Sequence, residues 1–521
     1  MTMQSGLPIL YSVRDFGAKG DGVTLDTQAI QKAINACTEA AGGTVFFPSG
    51  KYLTGTIVLK DNVTLHLGPE AVLLGSKSLD DYTVEGTPFS HGHCLIYAED
   101  SKNIGLTGEG VVDGQGWAFP CGTEGFNIED ENKAPRGESY IRPFLMRFVR
   151  CQKISITRLT LQNAACYCAL FEDCKDIRIH GVRVENRANQ NTDGFHFLGC
   201  EDAFISDCYM NCGDDAFPLS KSAKNFVITN CVISSRWAAF RMGPSSTGTF
   251  KDITVSNCVI YNTYGCAVKL QMVEGGVIEN VIFDNLVMDH VTGPISIRLA
   301  GYLGWKHERK KSLPIGRLRN VQFSNIRARV ADNSYPLKHE VVRMPGELRS
   351  CINITGIPGH PVEGITFSNM HITFPGGGTR EEAARRIIPE MRDHYPEYHM
   401  FGTLPAYGLY IRHAKGITLH NVRFDLESPD LRPAIVCDDV EDLELSEFRA
   451  EGNPEAESLI RLQQTRQVFI HGCRPLNNVR TFLRLEGQET DGILLVGNDL
   501  RKARFATEKG KEVKKEALIM S

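Results

Sequence analysis

Asp193, Asp214 and Asp215 are three carboxylates in the stretch NTDGFHFLGCEDAFISDCYMNCGDD, residues 191–215, which is otherwise written mostly in apolar residues, Cys and Asn. A single Asp at a strand corner commonly does no more than accept turn amides. Three close together raise one another's pKa, an arrangement that costs stability and suits acid and base chemistry. Hydrolysis of a glycosidic bond needs such a set. One protonated carboxyl serves the leaving oxygen, and a second carboxylate, roughly 6.5–9.5 Å away, activates a water for inversion.

The elements that must position these groups recur along the chain. One phrase returns at a spacing of some twenty-odd residues: QKISITRLTLQN, KDIRIHGVRVEN, EDAFISDCYMN, KNFVITNCVIS, KDITVSNCVIY, KGITLHNVRFD and others. Ile, Val, Phe and Thr alternate with polar residues and Asn or Gly supplies a corner, so each copy reads as two short strands with a turn between them. A helical solenoid would need longer segments at a period of 3.6. The recurrence of Cys151 as Cys174, and of Cys208 as Cys231, implies thiols stacked inward as small hydrophobes. The corner Asn side chains are expected to satisfy turn backbone groups.

Coils of this length without crossover helices define an all-β fold, a right-handed parallel β-helix forming a single domain over residues 1–521, with coils from about 100 to about 500. Asp193 and Asp215 then fall one coil apart on the same side, about 4.8 Å along the axis. Asp214 and Asp215 are adjacent and would point to opposite faces of a regular strand, so Gly213 is expected to let the chain bend. An N-terminal cap region covers about residues 10–60. Within it LDTQAIQKAINACTEAAGG reads as a helix with Asp26 or Thr27 as N-cap, Ile30, Ala33, Ile34 and Cys37 on one face, and Gly42-Gly43 as the stop. TREEAARRIIPEMRDHYPEY reads as a helical insertion in 375–405, and residues 505–521 as a charged tail, with a fraying strand or helix as the alternatives.

Composition removes other classes. A formal charge of −5 over 521 residues gives no bulk footprint for nucleic acid or an anionic membrane, so an acidic substrate must be met by a local basic patch. No apolar run approaches the roughly 18 residues of a membrane span. The 16 Cys are spread thinly, without zinc spacing, and read as buried free thiols in a reducing compartment. Met1 to Tyr11 lacks the pattern of a secretory signal, so a cytoplasmic location is expected. No cofactor or metal is expected, and the sequence carries no signal for oligomeric state.

From VRDFGAKGDGVTLDTQAIQKAI through GGTVFFPSGKYLTG and LTGEGVVDGQG to the coils ending near residue 445, the chain resembles glycoside hydrolase family 28, the polygalacturonases and their relatives. The family's acidic motifs stand as Asn191-Thr192-Asp193 and Gly213-Asp214-Asp215. The resemblance implies that Asp214 is the general acid, that Asp193 and Asp215 activate the hydrolytic water, and that Asn191 belongs to the sugar site. Two motifs depart. Trp237-Ala238-Ala239 stands where relatives have Gly-His-Gly, and Ala267-Val268-Lys269 where they have Arg-Ile-Lys.

Neighbouring residues offer replacements. His196, just after Asp193, is either a substrate contact or a polar residue of the groove wall. Arg241 either clamps a carboxylate or hydroxyl pair or pairs with a groove acid. Lys269 is expected to touch substrate through its motif match, and Trp237 either stacks on a sugar or covers the next coil. His91 and His93 in HGHC lack convergent metal ligands in the sequence, GEGVVDGQG reads as corner turns, and Trp305 to Lys311 form a basic aromatic loop that faces an anionic sugar or only solvent. Insertions at 118–142, 300–317 and 375–405 would wall off a groove end, which suits an exo-acting hydrolase of pectic oligosaccharides. A hydrolase for a neutral or differently decorated sugar, a polysaccharide lyase and a non-catalytic carbohydrate-binding β-helix are the alternatives.

Overall fold

The computed structural model describes residues 10–83, 93–119, 141–189, 191–301, 314–331 and 349–521. It is a right-handed parallel β-helix whose chain falls into two units, Met1–Trp237 and Ala238–Ser521.

In the first unit a coil has three strand positions, one more than the repeated phrase contains, and in the coils from Phe195 on the first two merge into one long strand. Ala169–Glu172, Lys175–His180 and Arg183–Asn186 make one such coil, and each pairs in parallel with its counterpart in the next. Register is kept by identical positions: Ile154 faces Ile177, which faces Ala203, which faces Phe226. These inward side chains stack because a parallel coil places the same position of every turn on the same line. Phe148, Phe171 and Phe197 form one such column, with ring centroids 5.4 and 5.0 Å apart.

The second unit repeats the scheme with longer strands, such as Thr249–Thr263, Val277–Val291, Arg317–Val330 and Val362–Phe374. Each bends at an Asn in the left-handed region: Asn257, Asn285, Asn325 and Asn369 have φ between 53° and 56°. Asn tolerates this conformation where most residues do not. The corner amides were expected to satisfy turn backbone. Here they chiefly pair along the axis, Asn285 donating to Asn257 at 2.8 Å and Asn369 to Asn325 at 3.3 Å.

The N-terminal helix runs Thr27–Glu39 and buries Ile30, Ala33, Ile34 and Cys37, the expected face. Asp26 is its N-cap residue, but its carboxylate accepts the amides of Lys19 and Gly20 instead of a helix amide. Gln31 ties the helix to the coils by exchanging two hydrogen bonds with the Val58 backbone, at 2.8 and 3.0 Å. The insertion 375–405 is helical only at Arg380–Ala384, since Pro389 and Pro396 break any longer helix. Residues 503–509 and 518–520, expected as a charged tail, are strands of the last coil, paired with Val479–Glu486 and Asp491–Val496.

Every cysteine among the described residues is buried and free. Cys151, Cys208, Cys231 and Cys258 each donate a weak hydrogen bond to the carbonyl two residues earlier, so the thiols line the inner corners of successive coils.

Candidate active site

Asp193 and Asp215 stand in register. The amide of Gly194 donates to Asp215 O at 2.9 Å and that of Phe195 to Ala216 O at 3.0 Å, so the two acids are one coil apart as their spacing requires. Each sits in the short turn before a strand, Phe195–Ser206 and Phe217–Thr229 respectively. Asp193 and Asp215 are buried, whereas Asp214 is half-buried. Asp214 Oδ1 accepts the amide of Asp215 at 2.8 Å, which sends the two neighbouring side chains to different places. Burial pushes the nearby Cys166 thiol up to about 12; Arg142 opposes the rise, and Asp193 and Asp214 add to it.

Gly213 is needed for space. A Cβ there would lie 2.3 Å from Thr192 Oγ1, which donates to Asn189 O at 2.8 Å and closes the preceding coil's turn. The sequence suggested a bend at this glycine; close approach between coils is the stronger reason. Asp214 is braced from the far side by Ser235, whose hydroxyl donates to Asp214 O at 2.7 Å and accepts the amide of Trp237 at 3.0 Å. The Trp237 side chain itself is half-buried.

His196 is 7% exposed and lies beside an acid. Its Nδ1 is 3.2 Å from Asp193 Oδ2, its Nε2 is 3.0 Å from Ser220 Oγ, and its ring lies against Tyr167 with centroids 5.0 Å apart. The imidazole is thus packed between Tyr167, Ser220 and the Asp193 carboxylate. Asn191 donates to Asp214 Oδ2 at 3.4 Å and accepts from Arg142 Nη2 at 2.8 Å.

Two residues that sequence reasoning missed complete this turn. Arg142 ends the 118–142 insertion, where no repeat or motif marks it. Asn186, fully buried, donates to Asp193 O at 3.0 Å and accepts the amide of Ala164 at 2.8 Å. Its signal was available as the last residue of KDIRIHGVRVEN.

In the second unit Arg241 and Lys269 are register partners on adjacent strands. Lys269 is 1% exposed, and its ammonium donates to Glu397 Oε2 at 2.6 Å. Burial pushes the Glu397 carboxyl up, but Lys269, with His399 and Arg241, outweighs it and holds the group below the usual carboxylate range. Burial keeps His399 below the ordinary histidine value, against the pull of Glu397. Glu397 and His399 come from the 375–405 insertion, which lies as a strap along one strand row of this unit. Gln271 donates to Pro396 O at 2.5 Å, Arg298 to Glu390 O at 2.7 Å and Arg461 to Ala383 O at 2.7 Å. The expected substrate lysine thus already holds a protein carboxylate. Ala238 and Ala267 are fully buried.

Among the described residues no group of three His, Cys, Asp or Glu is placed to hold a metal ion. No helix among them is long and apolar enough to cross a membrane. His91 and the loop Trp305 to Lys311 lie outside the described residues.

A parallel β-helix with three acids gathered on adjacent turns is a scaffold suited to hydrolysis of sugar chains. The profile of Glycosyl hydrolases family 28 matches residues 37–382, and the chain belongs to this family: it is a glycoside hydrolase. It is 27% identical over 392 residues to a probable polygalacturonase of Vitis vinifera, covering 69% of this chain and 74% of that protein. It is 24% identical to an exo-poly-alpha-D-galacturonosidase of Dickeya chrysanthemi, covering 56% of this chain and 57% of that one. In structure it is similar to the family 28 exopolygalacturonase of Yersinia enterocolitica, with TM-score 0.62, 19% identity and coverage of 84% and 79%.

Proposed function

We propose that this glycoside hydrolase removes sugar units from the ends of pectic, galacturonate-containing oligosaccharides with inversion, in a reducing compartment of the cell. The observation that carries the chemistry is the half-buried Asp214 beside two buried acids one coil apart. Asp214, protonated, gives its proton to the leaving oxygen as the anomeric C–O bond breaks. Asp193 and Asp215 hold a water at the opposite face and take its proton as its oxygen bonds to the anomeric carbon. His196 acts through Asp193, Asn191 through Asp214, and Trp237 supplies a sugar contact. Similarity to an exo-poly-alpha-D-galacturonosidase supports end-wise action, and the free, buried thiols support the compartment.

A second reading is favoured by one specific observation. Glu397 already neutralises Lys269, and the buried Ala238 and Ala267 methyls offer no charge. A neutral or esterified sugar would fit such a subsite better than a free uronate. The deciding experiment is product release from galacturonan, rhamnogalacturonan and methyl-esterified oligosaccharides beside neutral aryl glycosides, using the intact protein and Asp214→Asn. Monosaccharide released from free-acid chains and lost in the variant supports the first reading. Release only from neutral or esterified substrates supports the second.

A further inference from the structure

The chain is acidic overall, yet its last coil is not. Residues 501–515, RKARFATEKGKEVKK, hold seven Lys or Arg against two Glu in a protein of formal charge −5. The strand Ala503–Lys509 pairs with Val479–Glu486 with Val479 opposite Ala503, which sets Arg480 beside Arg504 about 4.8 Å apart. Over these positions opens a cleft of about 740 Å³, whose lining includes Arg480, Arg501, Lys502, Arg504, Phe505 and Asn478 and no Asp or Glu.

The cations are arranged, not merely numerous. Arg480 pairs with Glu508 at 3.2 Å and Arg501 with Asp499 at 2.8 Å, both at the surface. Lys502 donates to Leu476 O at 2.6 Å, and the Arg504 guanidinium lies 5.2 Å from the centre of the Phe505 ring. Among the described residues neither Lys502 nor Arg504 has a carboxylate partner, so the cleft keeps a net positive charge. Phe505 is 41% exposed, an apolar face left open within a basic wall.

We propose that this cleft is a second carbohydrate site, one that binds uronate oligosaccharides without cutting them. Guanidinium forks suit sugar carboxylates, which they can meet with two parallel hydrogen bonds. An exposed aromatic face takes the apolar face of a sugar ring, and the Asn478 amide suits hydroxyls. The carboxylates next to the lining, Asp499 and Glu508, are each held in an ion pair with an arginine, so the cleft holds and does not hydrolyse. The choice of uronate among polyanions rests on the family and on the function proposed above.

The test is calorimetric titration of the full chain carrying Asp214→Asn with a galacturonate octamer, repeated with Arg480→Gln and Arg504→Gln added. The proposal expects the added pair to weaken or remove one binding event by about tenfold or more, as loss of two charge-assisted contacts should. It also expects kcat of the otherwise native chain on a trimer to stay unchanged when only the two arginines are replaced. Identical isotherms with and without the arginines overturn it, as does equal affinity for a neutral galactose octamer. Tighter, arginine-dependent binding of an oligoribonucleotide than of the octamer also overturns it, in favour of a nucleic-acid cleft. If the native chain cuts no uronate but the arginine-dependent event persists, the reading of the active site fails and this one stands.

Discussion

His196 Nδ1 stands 3.2 Å from Asp193 Oδ2, and both side chains are almost closed to solvent. A buried carboxylate is costly without polar neighbours, and the imidazole is one such neighbour of Asp193. His196→Ala should lower kcat about 10²-fold with little change in KM, because a misplaced base costs that much. Loss of the imidazole beside the carboxylate should move the acid limb of the pH–rate profile to higher pH, as removal of a neighbour that favours the charged form does. His196→Gln, which keeps a donor, should restore part of the rate. Steady-state kinetics across pH would refute this if the profile stayed fixed in His196→Ala.

Glu397 and Lys269 make a buried pair with a defined pH dependence. The Glu397 carboxyl lies lower in the folded chain than in the unfolded one, where it titrates near about 4.3. The unfolded chain therefore takes up the proton first as pH falls. Stability from the pair is fully present above the unfolded value and is lost as pH drops through the folded one. Glu397→Gln should destabilise by about 3 kcal/mol at neutral pH, since it leaves a buried ammonium poorly matched. Thermal unfolding of the two proteins from pH 7 to pH 3 should show the gap closing. A gap independent of pH would contradict the ion pair.

Gly213→Ala should harm both folding and turnover. Its Cβ would sit 2.3 Å from Thr192 Oγ1, and relieving that contact must move either the Thr192 turn or the Asp214 turn. A cost of about 1–3 kcal/mol is expected from such overpacking. Denaturant midpoints equal to those of the native protein would argue against the close approach.

The Asn ladder is testable at Asn325, which has φ of 56° and bonds to Asp284 on one side and Asn369 on the other. Asn325→Ala should cost about 1–2 kcal/mol for an ordinary side chain in the left-handed region. Asn325→Gly should cost less, because glycine enters that region freely. The reverse order in urea unfolding would remove the backbone account of the ladder.

Burial pushes Cys94, Cys166 and Cys351 up to about 12, which leaves little thiolate at neutral pH. A disulfide-exchange reagent should therefore label at most Cys121, which lies outside the described residues, until the chain is unfolded. Rapid labelling of several thiols in the native protein would contradict the buried corners.

The coil was readable because its signals are local and repeated. Alternating Ile, Val and Phe, corner Asn and the recurring Cys placed Asp193 one turn from Asp215, and the helix Thr27–Glu39 announced itself by its apolar face. The third strand of each coil was hidden, since segments such as Ala169–Glu172 are too short to show a period. Arg142, Glu397 and His399 escaped because they reach the coils from insertions, and a contact across 128 residues, as between Lys269 and Glu397, leaves no trace in spacing. Helix propensity in the strap misled: two prolines and the arginine clamps on its carbonyls override it beyond Ala384.

The most direct measurement is proton NMR of the first-formed product from a galacturonate oligosaccharide, followed with the native protein and with Asp214→Asn. Asn keeps the Oδ1 that accepts the Asp215 amide but cannot give up a proton, so the fold should persist while the rate falls about 10²–10⁴-fold. A saturated product of inverted anomeric configuration, lost in the variant, is expected. A retained configuration, an unsaturated product, or an undiminished rate in Asp214→Asn would contradict it.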